Sequence, residues 1–305
     1  MKKLFFIAVL FLVVVGVYFT IDYNLDTPTS DGEGEVAGVA TERGEIMEDK
    51  FFYLNNFYHT LEVAGTMTEY FQSDKIRAGI IPHDITQGQM MANFFQQLAE
   101  QSPTKIFLLG PNHYEAGETK LVTTLSDWQT KFGLVRSDDS IVSQLLTNPW
   151  FSEDYKIIEN EHSVSAIIPY ISYYLPAVQV IPIIFKADIN ELEIDSIIKE
   201  LDKHIDDDTV IVSAVDFSHF LTQAEANKND DLTQQYLTNL DYKQIFNLGN
   251  NFNDYLDSPA VIGLLLKWLE NKEYYENQII AHTNSVDELN NPNIPTTSYF
   301  EIIYY

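Results

Sequence analysis

Cysteine is missing from the whole sequence of 305 residues. Its absence excludes disulfide bonds, thiolate nucleophiles, zinc fingers and iron–sulfur clusters, because each of these needs a cysteine sulfur. A lipoprotein anchor, which is attached through cysteine, is excluded as well. If the chain binds a metal ion, the ligands must come from histidine and from aspartate or glutamate.

Basic residues are also scarce. The 18 Lys and Arg face 45 Asp and Glu, which gives a net charge of −27 and a pI near 4.3. Nucleic acid is therefore excluded as a partner, since phosphate binding needs clustered Lys and Arg, and anionic lipid surfaces repel such a chain. Glycine and proline number only 13 and 11, while 45% of the residues are hydrophobic. This composition excludes collagen-like, low-complexity and fully disordered chains.

The first 21 residues differ from the rest. Lys2 and Lys3 precede an uncharged apolar run, residues 4–21, which ends before Asp22. A helix needs about 20 apolar residues to cross a bilayer, and this run is nearly that long. It is longer than the roughly 7–15 apolar residues of a signal-peptide core, and no small-residue cleavage site follows it. We expect an uncleaved signal anchor, with a cleaved signal peptide and secretion as the alternative. The two lysines keep the N-terminus in the cytoplasm, which predicts a single-pass cell-membrane protein with an extracytoplasmic domain.

Residues 22–50 are rich in Asp, Glu, Gly and Thr and lack a sustained hydrophobic period. This composition predicts a flexible acidic linker that is dispensable for folding; the alternative is that its end lies along the domain as an extended arm.

The pattern of residues 51–305 predicts one domain in which apolar strands alternate with helices. We expect an α/β three-layer sandwich around a largely parallel or mixed sheet. The predicted strands are 76–82, 105–109, 178–185, 209–215 and 298–305, and the predicted helices are 86–101, 163–175, 190–204, 223–249 and 259–269.

Four of the seven histidines lie where ligand sites form. His83, His113 and His219 each follow a predicted strand, and His162 opens a predicted helix. In open α/β sheets, ligands bind beyond the carboxyl ends of the strands, so these four imidazoles are expected to converge on one cleft. Taken singly, each is compatible with a loop hydrogen bond, and Glu161 with a helix N-cap. The other three histidines do not lie at such positions, so we expect them at the surface or in packing contacts; they are His59, His204 and His282.

Metal chemistry suits this set, because neutral imidazole and carboxylate are ligands of zinc and of non-haem iron. His83 and His113 are the first candidate ligands. The third ligand should be Asp or Glu, since the chain has no thiolate.

Four short motifs occur in an order and spacing that resemble the Memo family, whose prokaryotic members are called AmmeMemoRadiSam system protein B. They are AGIIPH at 78–83, LGPNH at 109–113, EHS at 161–163 and DFSH at 216–219, with further matches at 262–265 and 297–299. The resemblance spans residues 51–305. It implies a fold similar to class III extradiol dioxygenases, whose iron is held by two His and one Glu.

The resemblance also implies roles for individual residues. His83 and His113 match the family's metal-site histidines, and His219 matches the residue that resembles the dioxygenase acid–base, with Asp216 holding its other ring nitrogen. The third metal-site residue is usually Cys in the family, and alignment places Asp257 there, or Asp254 after a slip in register. This departure brings the site closer to two His and one carboxylate. The implied cofactor is a divalent metal, with iron(II) favoured and zinc or copper as alternatives.

The resulting expectation is a membrane-anchored, extracytoplasmic, metal-dependent oxidoreductase of the dioxygenase type that acts on a small molecule. His219 would move a proton, and His162 would add a hydrogen bond or a second acid–base group. Two alternatives stay open: a zinc-dependent hydrolase, and a non-catalytic module that binds a small ligand or short peptide. The family name implies a link to a radical SAM pathway, although export would separate this chain from a cytoplasmic partner.

Overall fold

The computed structural model describes residues 44–64, 75–248 and 253–305. The chain divides into two units, Met1–Thr41 and Glu42–Tyr305, of which the first lies outside the described residues. The predicted membrane span, residues 4–21, therefore also lies outside them. In the part of the chain that is described, no helix is long and apolar enough to cross a membrane.

Twelve strands of the described chain form one mixed sheet. They are β1 (Met47–Glu48), β2 (Ala78–Ile81), β3 (Lys105–Pro111), β4 (Leu121–Thr123), β5 (Trp128–Thr130), β6 (Gly133–Ser137), β7 (Phe151–Glu153), β8 (Gln179–Phe185), β9 (Thr209–Ala214), β10 (Phe217–Leu221), β11 (Asn277–Asn284) and β12 (Thr296–Tyr304). The order is β1-β5-β6-β8-β3-β9-β2-β12-β10, with β11 on β12, β4 on β8 and β7 on β4. The central strands β8, β3, β9 and β2 are parallel, and β12 joins β2 antiparallel.

Eleven helices of the described residues connect and cover the strands. They are α1 (Leu54–Ala64), α2 (Gly88–Gln101), α3 (Asp139–Leu145), α4 (Tyr155–Asn160), α5 (His162–Ser165), α6 (Ile168–Tyr174), α7 (Glu191–Leu201), α8 (Gln223–Thr238), α9 (Tyr242–Leu248), α10 (Pro259–Lys272) and α11 (Ser285–Leu289). A 3₁₀ turn, Ile85–Gln87, precedes α2.

The core lies on both faces of the sheet, because the central strands are continuous apolar runs whose successive side chains point to opposite faces. Phe107 and Leu109 of β3 pack with α3, α7 and α10 in one cluster. Ile106 and Leu108 of the same strand pack with α2 and α6 in the other cluster. The expected α/β architecture with a mixed central sheet is therefore confirmed.

Each of the five predicted strands is present, with bounds shifted by up to two residues. Two predicted helices are interrupted. The helix predicted over 163–175 divides into α5 and α6, because Pro169 lacks an amide hydrogen and fits the first turn of a new helix. The helix predicted over 223–249 ends at Thr238, and Leu240 (φ 55°) turns the chain into α9.

The prediction of a flexible linker over residues 22–50 is corrected at the C-terminal end of that segment. Within residues 44–50, Met47 is fully buried and its amide donates to the carbonyl of Asp127 at 2.8 Å. Met47 and Glu48 form β1, which extends the sheet at β5. These residues adopt the extended arm, the stated alternative to the flexible linker, because the Met47 side chain is buried and the backbone pairs with β5. The remainder of the predicted linker, residues 22–43, lies outside the described residues.

Candidate metal centre

Three neighbouring parallel strands carry the polar side chains of the site to one edge of the sheet. β3, β9 and β2 are adjacent, and their carboxyl ends lead directly to His113, Asp216 and His83. The apolar runs that form these strands are buried, so the first polar residues after them lie together where the strands stop. The convergence expected from the sequence is present.

His83, His113 and His162 form a group that could hold a metal ion. Each offers one ligand nitrogen, and the three atoms lie within 4.8 Å of one another. The ring centroid of His83 is 5.0 Å from each of the other two, and those two rings stack at 4.3 Å. His162, expected as a hydrogen-bonding or acid–base group, thus lies among the candidate ligands.

Asp257 is the carboxylate that faces these rings. Its Oδ2 lies 3.3 Å from Nε2 of His83 and 3.5 Å from Nε2 of His113. The side chain is buried, and neither oxygen accepts a hydrogen bond of normal geometry from any described residue. Of the two carboxylates considered from the sequence, Asp257 rather than Asp254 therefore contacts the histidines.

The orientation of His83 is fixed by its other ring nitrogen. Nδ1 lies 3.2 Å from the carbonyl oxygen of Ala214. Because a carbonyl only accepts, Nδ1 must be the donor, and the neutral ring then has a lone pair on Nε2. Burial lowers the pKa of His83, which favours this neutral form. The Nε2 lone pair therefore faces the carboxylate of Asp257.

Glu161 holds His113 from the other side. Its Oε1 lies 2.8 Å from Nδ1 of His113, and its Oε2 accepts from the His113 amide at 2.9 Å. Oε1 also accepts from the amide of Ser163, so Glu161 is the N-cap of α5 as well as the support of His113. A carboxylate on the second nitrogen of a metal-binding imidazole is a common arrangement, because it fixes the ring and its tautomer.

The charges of the site follow from these contacts. Burial alone would lower the pKa of His113, but Asp257 and Glu161 outweigh it and raise that pKa to about 10. Burial opposes ionisation of Asp257 and Glu161, yet the facing histidines hold the pKa of each carboxyl below its ordinary range. Burial and the charge of Asp257 raise the pKa of Asp216 to about 7.

Asp216 and His219 do not form the expected pair. Asp216 Oδ1 accepts from the amide of His83 at 3.0 Å, and its Oδ2 lies 3.6 Å from His83 Nε2. Nδ1 of His219 is buried and has no hydrogen-bond partner among the described residues. The reason is that Asp216 lies directly at the end of β9, beside the loop after β2, and so supports His83.

These groups open into a cleft of about 450 Å³, which lies in the range of small-molecule sites. Three further residues line the cleft that no pattern in the sequence indicated: Asp84 and two aromatic residues, Phe51 and Phe220. Tyr299 supports the wall, since its hydroxyl donates to Asp84 at 2.8 Å. The remaining histidines have other surroundings; His282, for example, contacts Asp230 at 2.9 Å.

The fold and the site define an α/β protein with a histidine-rich candidate metal centre at the carboxyl edge of its sheet. The family model described as Memo-like protein matches residues 48–301, and the chain belongs to the Memo family.

Similar proteins support this assignment. The MEMO1 family protein PAE0818 of Pyrobaculum aerophilum is 23% identical over 234 residues, which cover 74% of this chain and 83% of that protein. The MEMO1 family protein SSO0066 of Saccharolobus solfataricus is 27% identical over 221 residues, or 68% and 76% of the two chains. The crystal structure of the uncharacterized protein JW3007 of Escherichia coli K12 has a similar fold, with a TM-score of 0.50, 12% identity and coverage of 74% and 99%.

Proposed function

We propose that this protein binds a divalent metal ion at His83 and His113, with His162 and Asp257 completing the set, and uses it to transform a small molecule. The observation that carries the proposal is the contact between His83 Nε2 and Asp257 Oδ2 at 3.3 Å. Both atoms are buried acceptors that face each other, so the arrangement needs a cation nearby. Without metal the protonated ring of His113 supplies it, and a metal ion held by the three converging histidine nitrogens would supply it in place of that proton. The donor set of imidazole and carboxylate fits zinc and non-haem iron.

The chain's own residues would prepare this centre in defined ways. The Ala214 carbonyl directs the lone pair of His83 into the site, and Glu161 does the same for His113 by holding its Nδ1. Asp216 holds the backbone of His83. His219 lines the cleft, so its ring is placed to exchange a proton with a bound molecule.

Two reactions fit the centre. A bound iron(II) would supply oxygen and redox chemistry, whereas a bound zinc would lower the pKa of a coordinated water to about 7. We favour a dioxygenase-like oxidoreductase, because Asp257 supplies the carboxylate of a two-His-one-carboxylate set. A zinc hydrolase is the second candidate, because His83, His113 and His162 together are also a three-histidine zinc set.

Metal analysis followed by two activity assays tests the proposal. The purified protein is analysed for bound metal, then assayed for oxygen uptake with catechol after anaerobic loading with iron(II), and for ester cleavage after loading with zinc. We expect about one metal ion per chain and turnover in one assay. His219→Ala should retain the metal and lose turnover. A wild-type protein that binds neither ion would overturn the proposal, and binding without turnover would leave a non-catalytic ligand- or peptide-binding module.

The cellular setting is proposed from the sequence. Residues 4–21 would anchor the chain in the cell membrane and place the domain on the extracytoplasmic side, where its substrates would be small molecules or short peptides. A functional link to a radical SAM pathway follows from the family name alone.

A further inference from the structure

The strand that carries His219 is irregular beside the cleft. In β10, the residues Phe217, His219 and Leu221 pair with Ser298, Thr297 and Thr296 of β12. Five residues of one strand therefore lie opposite three of the other, and the extra residues, Ser218 and Phe220, are bulged. Bulges next to ligand sites redirect side chains toward the ligand.

Phe220 has an unfavourable backbone conformation. Its φ is 59°, in the left-handed region, which glycine and asparagine adopt readily and bulky residues do not. Other residues with positive φ, such as Ser102, Glu273 and Asn290, cap helix C-termini, where this conformation is ordinary. Phe220 follows no helix, so its strain has a different origin.

Burial of the ring does not offset this strain. Phe220 is 73% exposed, and its ring lies 5.7 Å from the ring of His219 while lining the cleft. A strained backbone that presents an exposed aromatic ring at a cleft indicates selection for ligand contact. Phe51, which also lines the cleft, lies 6.1 Å from the ring of His162, so both aromatic rings border site histidines.

The charge of the cleft restricts its ligand. Among the described residues that line it there is no Lys or Arg, whereas Asp84 and Asp216 are present and Asp257 lies behind the histidines. The cationic ring of His113 also lines the cleft, but it is already paired with two carboxylates, those of Glu161 at 2.8 Å and Asp257 at 3.5 Å. The carboxylates would therefore repel an anionic group in the cleft.

We propose that Phe220 is a specificity-determining residue whose ring packs on a small flat ligand, and that the cleft selects uncharged or cationic ring compounds over anionic ones. The inference deepens the proposed function, since the ligand would lie over the metal centre, but it concerns contacts that the protein makes with or without the ion.

The first part of the test measures stability. Phe220→Gly and Phe220→Asn remove the ring and suit the left-handed backbone, so we expect the melting temperature to stay equal or rise by a few degrees. Phe220→Leu keeps the strain and an apolar side chain, and should not gain stability. Glu273→Gly is the matched control: it relieves a positive φ (61°) at the C-cap of α10, away from the cleft.

The second part measures ligand binding with three nearly isosteric probes: benzamide, benzamidine and benzoate. Saturation-transfer NMR is recorded on the protein with and without zinc. On the zinc-free protein we expect benzamide and benzamidine to bind more tightly than benzoate. Phe220→Gly should weaken benzamide binding roughly 2- to 12-fold, as expected for loss of one aromatic contact. Phe220→Tyr should retain it, and Glu273→Gly should leave it unchanged.

Each outcome is decisive. Weaker benzamide binding with equal or higher stability supports the proposal. A marked loss of melting temperature in Phe220→Gly, or unchanged benzamide affinity, shows a structural role and overturns it. Failure of all three probes to bind, or preference for benzoate in the zinc-free protein, overturns it as well. If neither zinc nor iron(II) binds but benzamide does, the proposed metal function fails and this inference stands.

Discussion

At the scale of single residues, Glu301 is a buried acid without a full set of partners. It lies in β12, accepts one hydrogen bond from Asn93 at 2.7 Å, and leaves Oε2 unpaired among the described residues. Burial raises its pKa to about 8, so the folded protein binds a proton that the unfolded chain releases near pH 4.5. The stability that depends on this proton is fully present below pH 4.5 and is lost as the pH rises toward 8.

We therefore expect Glu301→Gln, which cannot ionise, to be more stable than wild type at pH 7 by up to about 3 kcal/mol, with no such gain at pH 4. Urea unfolding at pH 4, 6 and 8 measures the difference. The exposed Glu118→Gln is the control and should follow wild type. An equal difference at all three pH values would contradict the protonation of Glu301.

His113 gives the second prediction at this scale. Its pKa of about 10 means that the ring is protonated at neutral pH in the absence of metal, whereas a metal ligand must be neutral. Metal binding should release about one proton from this residue, and the affinity for zinc should rise about tenfold per pH unit below pH 10. Competition with a chelator at pH 6.5, 7.5 and 8.5 checks the slope. An affinity that does not change with pH would contradict this assignment.

The site residues differ in how well the sequence predicts them. His83, His113 and Asp216 follow long apolar strands, and the rule that strand ends meet brings them together. His162 and Glu161 open a four-residue helix, so the sequence shows their position along the chain but not that both side chains turn toward His113. The partner of His219 was predicted wrongly, because the spacing of Asp216 and His219 does not reveal the bulges of β10 between them.

At the scale of elements, β1 joins the N-terminal part of the described chain to the sheet. Met47 is buried, and the amide of Glu48 donates to the carboxylate of Glu159 at 2.8 Å. A chain that begins at Phe51 should be less stable than one that begins at Gly44 by about 2–3 kcal/mol, the contribution of one buried side chain of this size. Thermal unfolding checks this, and equal melting temperatures would restore the view that residues 44–50 are a linker.

Element predictions succeeded where apolar runs were long. The short strands β4, β5 and β7 have three residues each, too few for a periodic pattern, and β11 has the polar sequence NQIIAHTN. These strands depend on pairing with neighbours for their conformation, and such pairing is a tertiary effect that a local pattern does not contain.

At the scale of the whole molecule, the sequence predicts an outward-facing domain. Lys2 and Lys3 precede the apolar run, and all 45 acidic residues follow it. Protease added to intact cells should therefore remove the domain, while a cytoplasmic marker protein stays uncut. Full protection of the domain in cells with a single accessible membrane would contradict this orientation.

The α/β class was predictable for the whole molecule, but the order of the strands was not. Apolar runs that alternate with amphipathic segments indicate a sheet with helices on both faces. The position of β12 between β2 and β10 depends on contacts distant in sequence, and it is this position that brings the bulged segment of His219 and Phe220 beside the cleft.

The metal stoichiometry of single-site variants tests the central claim most directly. Wild type, His83→Ala, His113→Ala and Asp257→Asn are loaded with zinc or iron(II), freed of excess ion and analysed for metal, with folding checked by circular dichroism. His59→Ala, an exposed histidine outside the site, is the matched control. We expect about one ion per chain in wild type and in the control, and a loss of most of it in the three site variants. Folded site variants that retain the wild-type amount of metal would contradict the assignment of the centre.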